Sequence, residues 1–300
     1  VEFIKRNTGL LLIGSIVIGY LFPQIAVLKP TLSYLLILML FISLLKVDMR
    51  LEKLVRPQLL LFPIVSWVVA PVALVQLRGI IPDEVVIGLV MAAITPPALG
   101  SPVITTLAKG DLEFAMANVV FFNSLAPFSF ALIPFFLFSG TQISIPVWSI
   151  LGRVATIVFI PLVASLAVRR FKGVTRGILR YGGELTPLII LFLVAVVVSS
   201  AALQIRALPL QQVLMMFGLV FLLTVINYVI GHVAARGNAL MQRTLPITTG
   251  HKNTGLAILV CIANFSSLVA IPSIFYIISH HICNAVVLHR VYHGTSRSHR

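Results

Sequence analysis

The sequence predicts an all-α polytopic membrane protein with ten transmembrane helices in two inverted five-helix repeats, helices 4 and 9 being broken and crossing. Three observations carry this. Apolar runs of spanning length recur from end to end, basic residues crowd alternate connections, and polar interruptions fall at matching places in the two halves.

Charged residues are only 10% of the chain against 59% hydrophobic ones, and mean hydropathy is +1.08. A soluble domain carries about a quarter charged residues, because its surface must be wetted. Here most of the chain must have lipid as its solvent. No charged or Pro/Ser-rich stretch is long enough to hold a soluble domain. The apolar runs lie at roughly 8–23, 31–45, 57–77, 85–108, 113–138, 147–168, 185–204, 211–235, 245–265 and 268–289. Each is near the ~20 residues that a helix needs to cross a ~30 Å core. The first two are short, and tilt or local thinning accommodates them. The first run follows charged residues but has no clear small-residue cleavage site, so it reads as a span rather than a removable signal peptide.

A net charge of +14 would suggest nucleic acid in a soluble protein. Topology explains it better, and no nucleic-acid partner is expected. Ten spans put both termini on one side. Of the 22 Lys and Arg residues, 17 fall on that side, three (Lys29, Arg78 and Arg206) on the other, and Arg153 and Lys252 within spans. The positive-inside rule then makes both termini cytoplasmic, in what is expected to be a bacterial inner membrane. Cys261 and Cys283 both lie in apolar spans and read as small buried hydrophobes.

The longest outer connection, Ser139 to Pro146, falls near the chain midpoint and divides a first repeat, 1–140, from a second, 141–300. An odd-numbered repeat reverses its orientation in the second copy, as in many secondary transporters. Span four is broken at Thr95-Pro96-Pro97-Ala98-Leu99-Gly100-Ser101-Pro102, and span nine at Thr248-Thr249-Gly250-His251-Lys252-Asn253-Thr254-Gly255. Pro96, Pro97 and Pro102 remove backbone donors and clash with the preceding turn. The second break combines Gly250 and Gly255 with polar side chains. Irregular backbone at membrane depth survives only where protein buries it or it lines a cavity, so matching breaks point to a substrate site.

Lys252 lies roughly 10 Å along the helix from the cytoplasmic end of span nine. An ammonium there costs at least ~2.5–3.5 kcal/mol. No aspartate or glutamate lies in any span interior; Glu113, the nearest candidate, is interfacial. Snorkelling or an inert water cavity would account for the lysine. A functional cation would instead be met by backbone carbonyls, meet a substrate anion, or lose its proton. Asn253, His251, Thr248 and Thr249 surround it in sequence, and Ser101 and Thr105 occupy the facing break. Asn118, Asn123 and Ser124 of span five either face the same place or bond neighbouring helices. His280 and His281, in span ten, are interhelical donors, substrate ligands or proton relays. Arg153 is expected to snorkel outward. The excess of protonatable groups over acids favours a small organic anion as substrate, with a proton as a further partner. No nucleophile–base pair, phosphate loop or metal spacing stands out, so neither an enzyme nor a cofactor is expected.

The residues resemble a known family. Val103-Ile104-Thr105-Thr106-Leu107-Ala108-Lys109-Gly110-Asp111 is similar to the "VITYLAKGD" that ends the broken fourth helix of bile acid:sodium symporter family proteins. Gly250-His251-Lys252-Asn253-Thr254-Gly255-Leu256-Ala257 resembles their ninth-helix "GMQNSGLA". Phe275 to Asn284 resembles "FYSVWHNISG", with His280 on the histidine. Lys46-Val47-Asp48 followed by Arg56-Pro57 resembles "LKPEDF…RP". The resemblance runs along essentially the whole chain. It implies a panel domain of spans 1, 2, 6 and 7 and a core domain of spans 3–5 and 8–10.

The departures fall where that family binds sodium. Its "PGGTASN" corresponds to Pro96 through Pro102, so its threonine is Leu99 and its asparagine Pro102. Its ninth-helix glutamate corresponds to Thr248 and the following glutamine to Lys252. A third-helix glutamine becomes Ser66, and span-five hydroxyls become Ala115 and Val119. Removing a carboxylate and adding an ammonium implies that sodium sites are lost, with Lys252 standing where a sodium ion would. A sodium-independent transporter, coupled to protons through Lys252 or His280 or to nothing, is the expected function. A sodium-coupled symporter, a proton-coupled exporter, an auxin-carrier-like exporter and a non-transporting sensor or degenerate paralogue remain alternatives. The arsenite exporters place a cysteine in the fourth helix, and span four has none.

Reporter fusions test the topology: one after Arg300 is expected to read as cytoplasmic, one between Ser139 and Pro146 as external. The same side for both would break the ten-span count.

Overall fold

The computed structural model describes residues 8–45, 57–141 and 143–294, and among them the regular structure is helical. Lys5, Arg6, Arg297 and Arg300 lie outside that range, as does the loop with Lys46, Val47, Asp48 and Arg56. Helix α1 is Thr8–Leu21 and α2 is Leu32–Leu45, entered through a 3-10 turn from Pro23. Helix α3 covers Pro57–Val75 and changes winding, with a π segment over Ile64–Val69. Then come α4 (Asp83–Ile94), α5 (Ser101–Leu107), α6 (Leu112–Ser124), α7 (Ala126–Leu137), α8 (Val147–Val168), α9 (Lys172–Ala207) and α10 (Leu210–Ala234). The chain ends with α11 (Ala239–Gln242), α12 (Leu245–Gly250), α13 (Thr254–Asn264) and α14 (Ser267–Gly294).

Among the described residues, six helices are long and apolar enough to cross a membrane, and a seventh counts if α6 and α7, bent by 58°, make one span. Where the first, fourth and ninth spans are expected, the chain forms shorter helices. These are α4 and α5 for the fourth, α12 and α13 for the ninth, and the 14-residue α1 for the first. The bend between α6 and α7 falls at Leu125, just ahead of Pro127, whose ring excludes the carbonyl of residue 123 from regular helix geometry. Helix α9 starts well before its apolar stretch, which covers only Leu188–Ala207.

Every residue of α4 from Val85 to Ile94 is buried. A helix apolar on all sides belongs in the interior, and α4 packs against α3, α7 and α14. Helix α9 lies along α1 and α2, and α8 runs beside α2 and α7. The main apolar core joins α4, α9, α13 and α14, while a smaller cluster of Leu59, Phe62, Phe114, Phe122 and Leu245 gathers under α3. Outward-facing side chains such as Tyr34, Phe136, Trp148 and Val163 are large, apolar and exposed, as lipid contact requires. Arg153 is exposed too, and both cysteines are buried and free.

Gly88 lets α4 approach α14: a Cβ there would lie 2.9 Å from Pro272 Cγ and closer still to the Val269 carbonyl. Gly88→Leu is therefore expected to lower stability by ~1–3 kcal/mol, read as a lower unfolding temperature in detergent.

Candidate functional site

The two breaks meet. Thr95, preceding a proline, is turned out of the helical region at φ −57°, ψ 132°, and α4 ends. The unwound stretch then runs antiparallel to the one after α12, with a bridge between Pro97 and Lys252. Ala98 N–H donates to the His251 carbonyl and Asn253 N–H to the Pro96 carbonyl, both at 2.8 Å. Each stretch thus satisfies peptide groups that lipid could not. Asn123, one residue before the α6 C-terminus, braces the crossing. Its Nδ2 donates to the Pro97 carbonyl at 2.9 Å, and its Oδ1 accepts from Asn253 Nδ2 at 2.9 Å.

The end of α4 is capped by side chains. Of its last four carbonyls, which have no partner within the helix, Met91 O accepts from Thr95 Oγ1 at 2.7 Å and Ile94 O from Trp67 Nε1 at 2.9 Å. Ala93 O accepts from the Lys252 ammonium at 3.2 Å. The same Nζ donates to Ser66 Oγ at 2.6 Å and stands 4.2 Å from the centre of the Phe62 ring. Lys252 is only 1% exposed, so its cation does not snorkel to water. Its surroundings are a hydroxyl, a carbonyl at the negative end of a helix dipole and an aromatic face, with no ion pair to a carboxylate among the described residues. Ser66 belongs to the π segment of α3, a winding that recurs at functional sites.

Beside this cage the imidazoles of His251, His280 and His281 cluster, with ring centres 4.5 Å apart for the first pair and 4.6 Å for the second. Ser101 Oγ lies 3.5 Å from His251 Nδ1 and donates to the His251 carbonyl at 3.3 Å. Behind them, Tyr276 OH donates to the Gly250 carbonyl at 3.0 Å, and Tyr228 OH to Asn284 Oδ1 at 2.7 Å. A Cβ on Gly250 would run into the Tyr228 ring, so that position must be glycine for the break to sit here.

Of the residues singled out in the sequence, Lys252, Asn253, His251, Ser101, His280 and His281 come together. Thr248 bonds back to the carbonyls of Thr244 and Leu245 at 3.3 Å and spends its hydroxyl on its own helix. Thr249, Thr105 and Asn118 are buried, and Thr105 Oγ1 and Asn118 Oδ1 have no hydrogen-bond partner among the described residues. Ser124 also bonds within its helix, to the Val120 carbonyl. The cage partners Ser66, Phe62 and the Ala93 carbonyl carry no motif of their own. Ser66 had a sequence signal only as the counterpart of a family glutamine.

Residues 33–208 match the profile of the Sodium Bile acid symporter family. The chain belongs to that family. It is a membrane transporter of the bile acid symporter type, and proteins of that kind are not enzymes. An uncharacterized sodium-dependent transporter of Bacillus subtilis, YocS, is 26% identical over 302 residues, which cover 95% of this chain and 91% of that protein.

Ser66→Val would leave the buried ammonium with one oxygen, and a loss of ~1–3 kcal/mol is expected. Lys252→Met removes charge and partner demand together and is expected to be near neutral or stabilising. Unfolding of both variants in the same detergent checks this; a Ser66→Val protein as stable as the parent would mean that the hydroxyl does not hold the ammonium.

Proposed function

We propose that this chain is a sodium-independent secondary transporter of a small organic anion, in which the Lys252 ammonium takes the place of a sodium ion. One observation carries the reading. The two residues that stand where the family has site glutamines, Ser66 and Lys252, hydrogen bond to each other at 2.6 Å. The cation is thus tethered to the chain and held at the C-terminal end of α4, a position that suits a positive charge. A sodium ion ~4 Å away would meet a repulsion of about 4 kcal/mol at an effective dielectric near 20. That weakens binding by roughly three orders of magnitude, and Thr248 supplies no carboxylate to offset it.

The proposed architecture is two inverted five-helix repeats, 1–140 and 141–300, crossing at the breaks, with spans 1, 2, 6 and 7 as panel and spans 3–5 and 8–10 as core. The antiparallel pairing of Pro97 with Lys252 supports it. The anion would meet the polar groups beside the crossing: Asn253, His251, Ser101, His280 and His281, with Thr105 and Thr249 buried close in sequence to them and Asn118 buried on α6. The imidazole cluster is also the candidate for proton coupling, since an imidazole can take up and release a proton. Both termini are assigned to the cytoplasm of a bacterial inner membrane on the charge bias.

A second reading, sodium-coupled symport, is favoured by the name of the Bacillus relative, which is called sodium-dependent. Uptake of radiolabelled organic anions into proteoliposomes separates the two. Equal rates in sodium and choline buffers are expected, with loss of transport in Lys252→Ala. Uptake that stops in choline would favour the second reading, and a protein that moves no anion in either buffer would favour a sensor.

A further inference from the structure

Away from the crossing, a groove of ≈ 530 Å³ opens between α2 and α9, walled by Leu38, Phe41, Ile42, Ile178, Tyr181 and Gly182. Its lining is almost wholly apolar, and its volume is that of a small-molecule cleft. Its floor is tight: a Cβ on Gly182 would come 2.9 Å from Ile42 Cγ2. Its rim is open, and a Cβ on Gly177 would meet nothing within 4 Å.

The groove's depth in the membrane follows from α9. At the far end, the Arg206 guanidinium hydrogen bonds to the Tyr20 and Leu21 carbonyls, closing the end of α1, and stands over the Tyr20 ring at 4.9 Å. An arginine with an aromatic partner at a helix end marks a membrane interface. From Arg206 back to Gly182 the helix climbs about 36 Å, a little more than a ~30 Å hydrocarbon core. Gly182 and the groove therefore lie where acyl chains give way to phosphates in the opposite leaflet. Tyr181, 68% exposed, is the kind of ring that sits at that level.

Basic residues dominate this end: Arg169, Arg170, Lys172, Arg176 and Arg180 precede the single acid of the stretch, Glu184. Two are placed at the groove. Arg180 lies 5.7 Å from the ring of Tyr181, which lines it, and Arg169 hydrogen bonds to the Leu44 carbonyl, beyond Ile42 on α2. An apolar slot at headgroup depth with guanidinium groups at its mouth fits a ligand with an acyl chain and an anionic phosphate.

We infer that this groove is a binding site for an anionic phospholipid of the inner leaflet, its chain between α2 and α9 and its phosphate at Arg169 and Arg180. The groove shares no lining residue with the crossing, and the inference does not depend on what is transported. Occupied, it would tie α2 to α9 at the membrane surface.

Native mass spectrometry of the purified full chain with phosphatidylglycerol or phosphatidylcholine of the same acyl composition tests it, alongside unfolding temperatures in the same lipids. The expected result is one retained phosphatidylglycerol per chain and a higher unfolding temperature with phosphatidylglycerol alone. Arg180→Gln is expected to weaken retention roughly fivefold without touching the phosphatidylcholine level. Gly177→Phe, placed in open space, is expected to abolish retention while the lipid-free protein melts as the parent does. Equal retention of the two lipids, or retention unchanged in Gly177→Phe, would reduce the groove to ordinary lipid contact and overturn the inference.

Discussion

An ammonium group buried at membrane depth, with no carboxylate to balance it, is the constraint around which the centre of this protein is arranged. Left bare in such a place it would be untenable. Three groups from two helices hold it: the Ser66 hydroxyl and the Phe62 ring from α3, and the Ala93 carbonyl from α4. Each has a local reason to be available. The π segment of α3 carries Ser66, and the proline pair after Thr95 stops α4 and frees its terminal carbonyls. Lys252 and Trp67 then each cap a carbonyl of that helix end, so the cage and the cap are one structure.

The crossing of the unwound stretches makes the cage possible. Lys252 stands at the bridge to Pro97, and the backbone bonds on either side of it fix where its side chain starts. Asn123 and Asn253 lock the crossing from the α6 side. The histidines connect to it through His251, whose carbonyl takes part in the bridge and whose ring joins His280 and His281. A movement of the histidine cluster would thus be felt directly by the backbone that positions Lys252. In a transporter of this family, that is the coupling a substrate site needs with an ion site. Here the ion would be covalently attached, so one half of the cycle would have no free cation to wait for.

Much of this was legible in the sequence for physical reasons. Apolar runs of spanning length, prolines in one break and glycines in the other, and a lysine with no acid near it are local signals. Partners were harder to see. Ser66 acts through a helix whose winding departs from the ordinary period, so no spacing rule could aim it. Asn123 gains its role from the bend at Leu125, which Pro127 announces without saying what the bend will face. Thr248 reads as a polar group of the site, yet threonine in a helix can bond its own backbone, and here it does. The fourth and ninth spans read as broken at their prolines and glycines, and in each place the chain forms two short helices. The long basic start of α9 hides behind its polarity, because a helix continued beyond the membrane no longer carries the apolar signature.

The central claim is that the Lys252 ammonium occupies the position of a coupling ion. Calorimetric titration of sodium chloride against choline chloride, on the purified protein and on a Thr248→Glu/Lys252→Gln variant, tests it most directly. The account predicts no saturable sodium binding to the parent and a saturable, choline-insensitive isotherm for the variant, in which a carboxylate returns and the tethered cation is gone. Saturable sodium binding to the parent would contradict it.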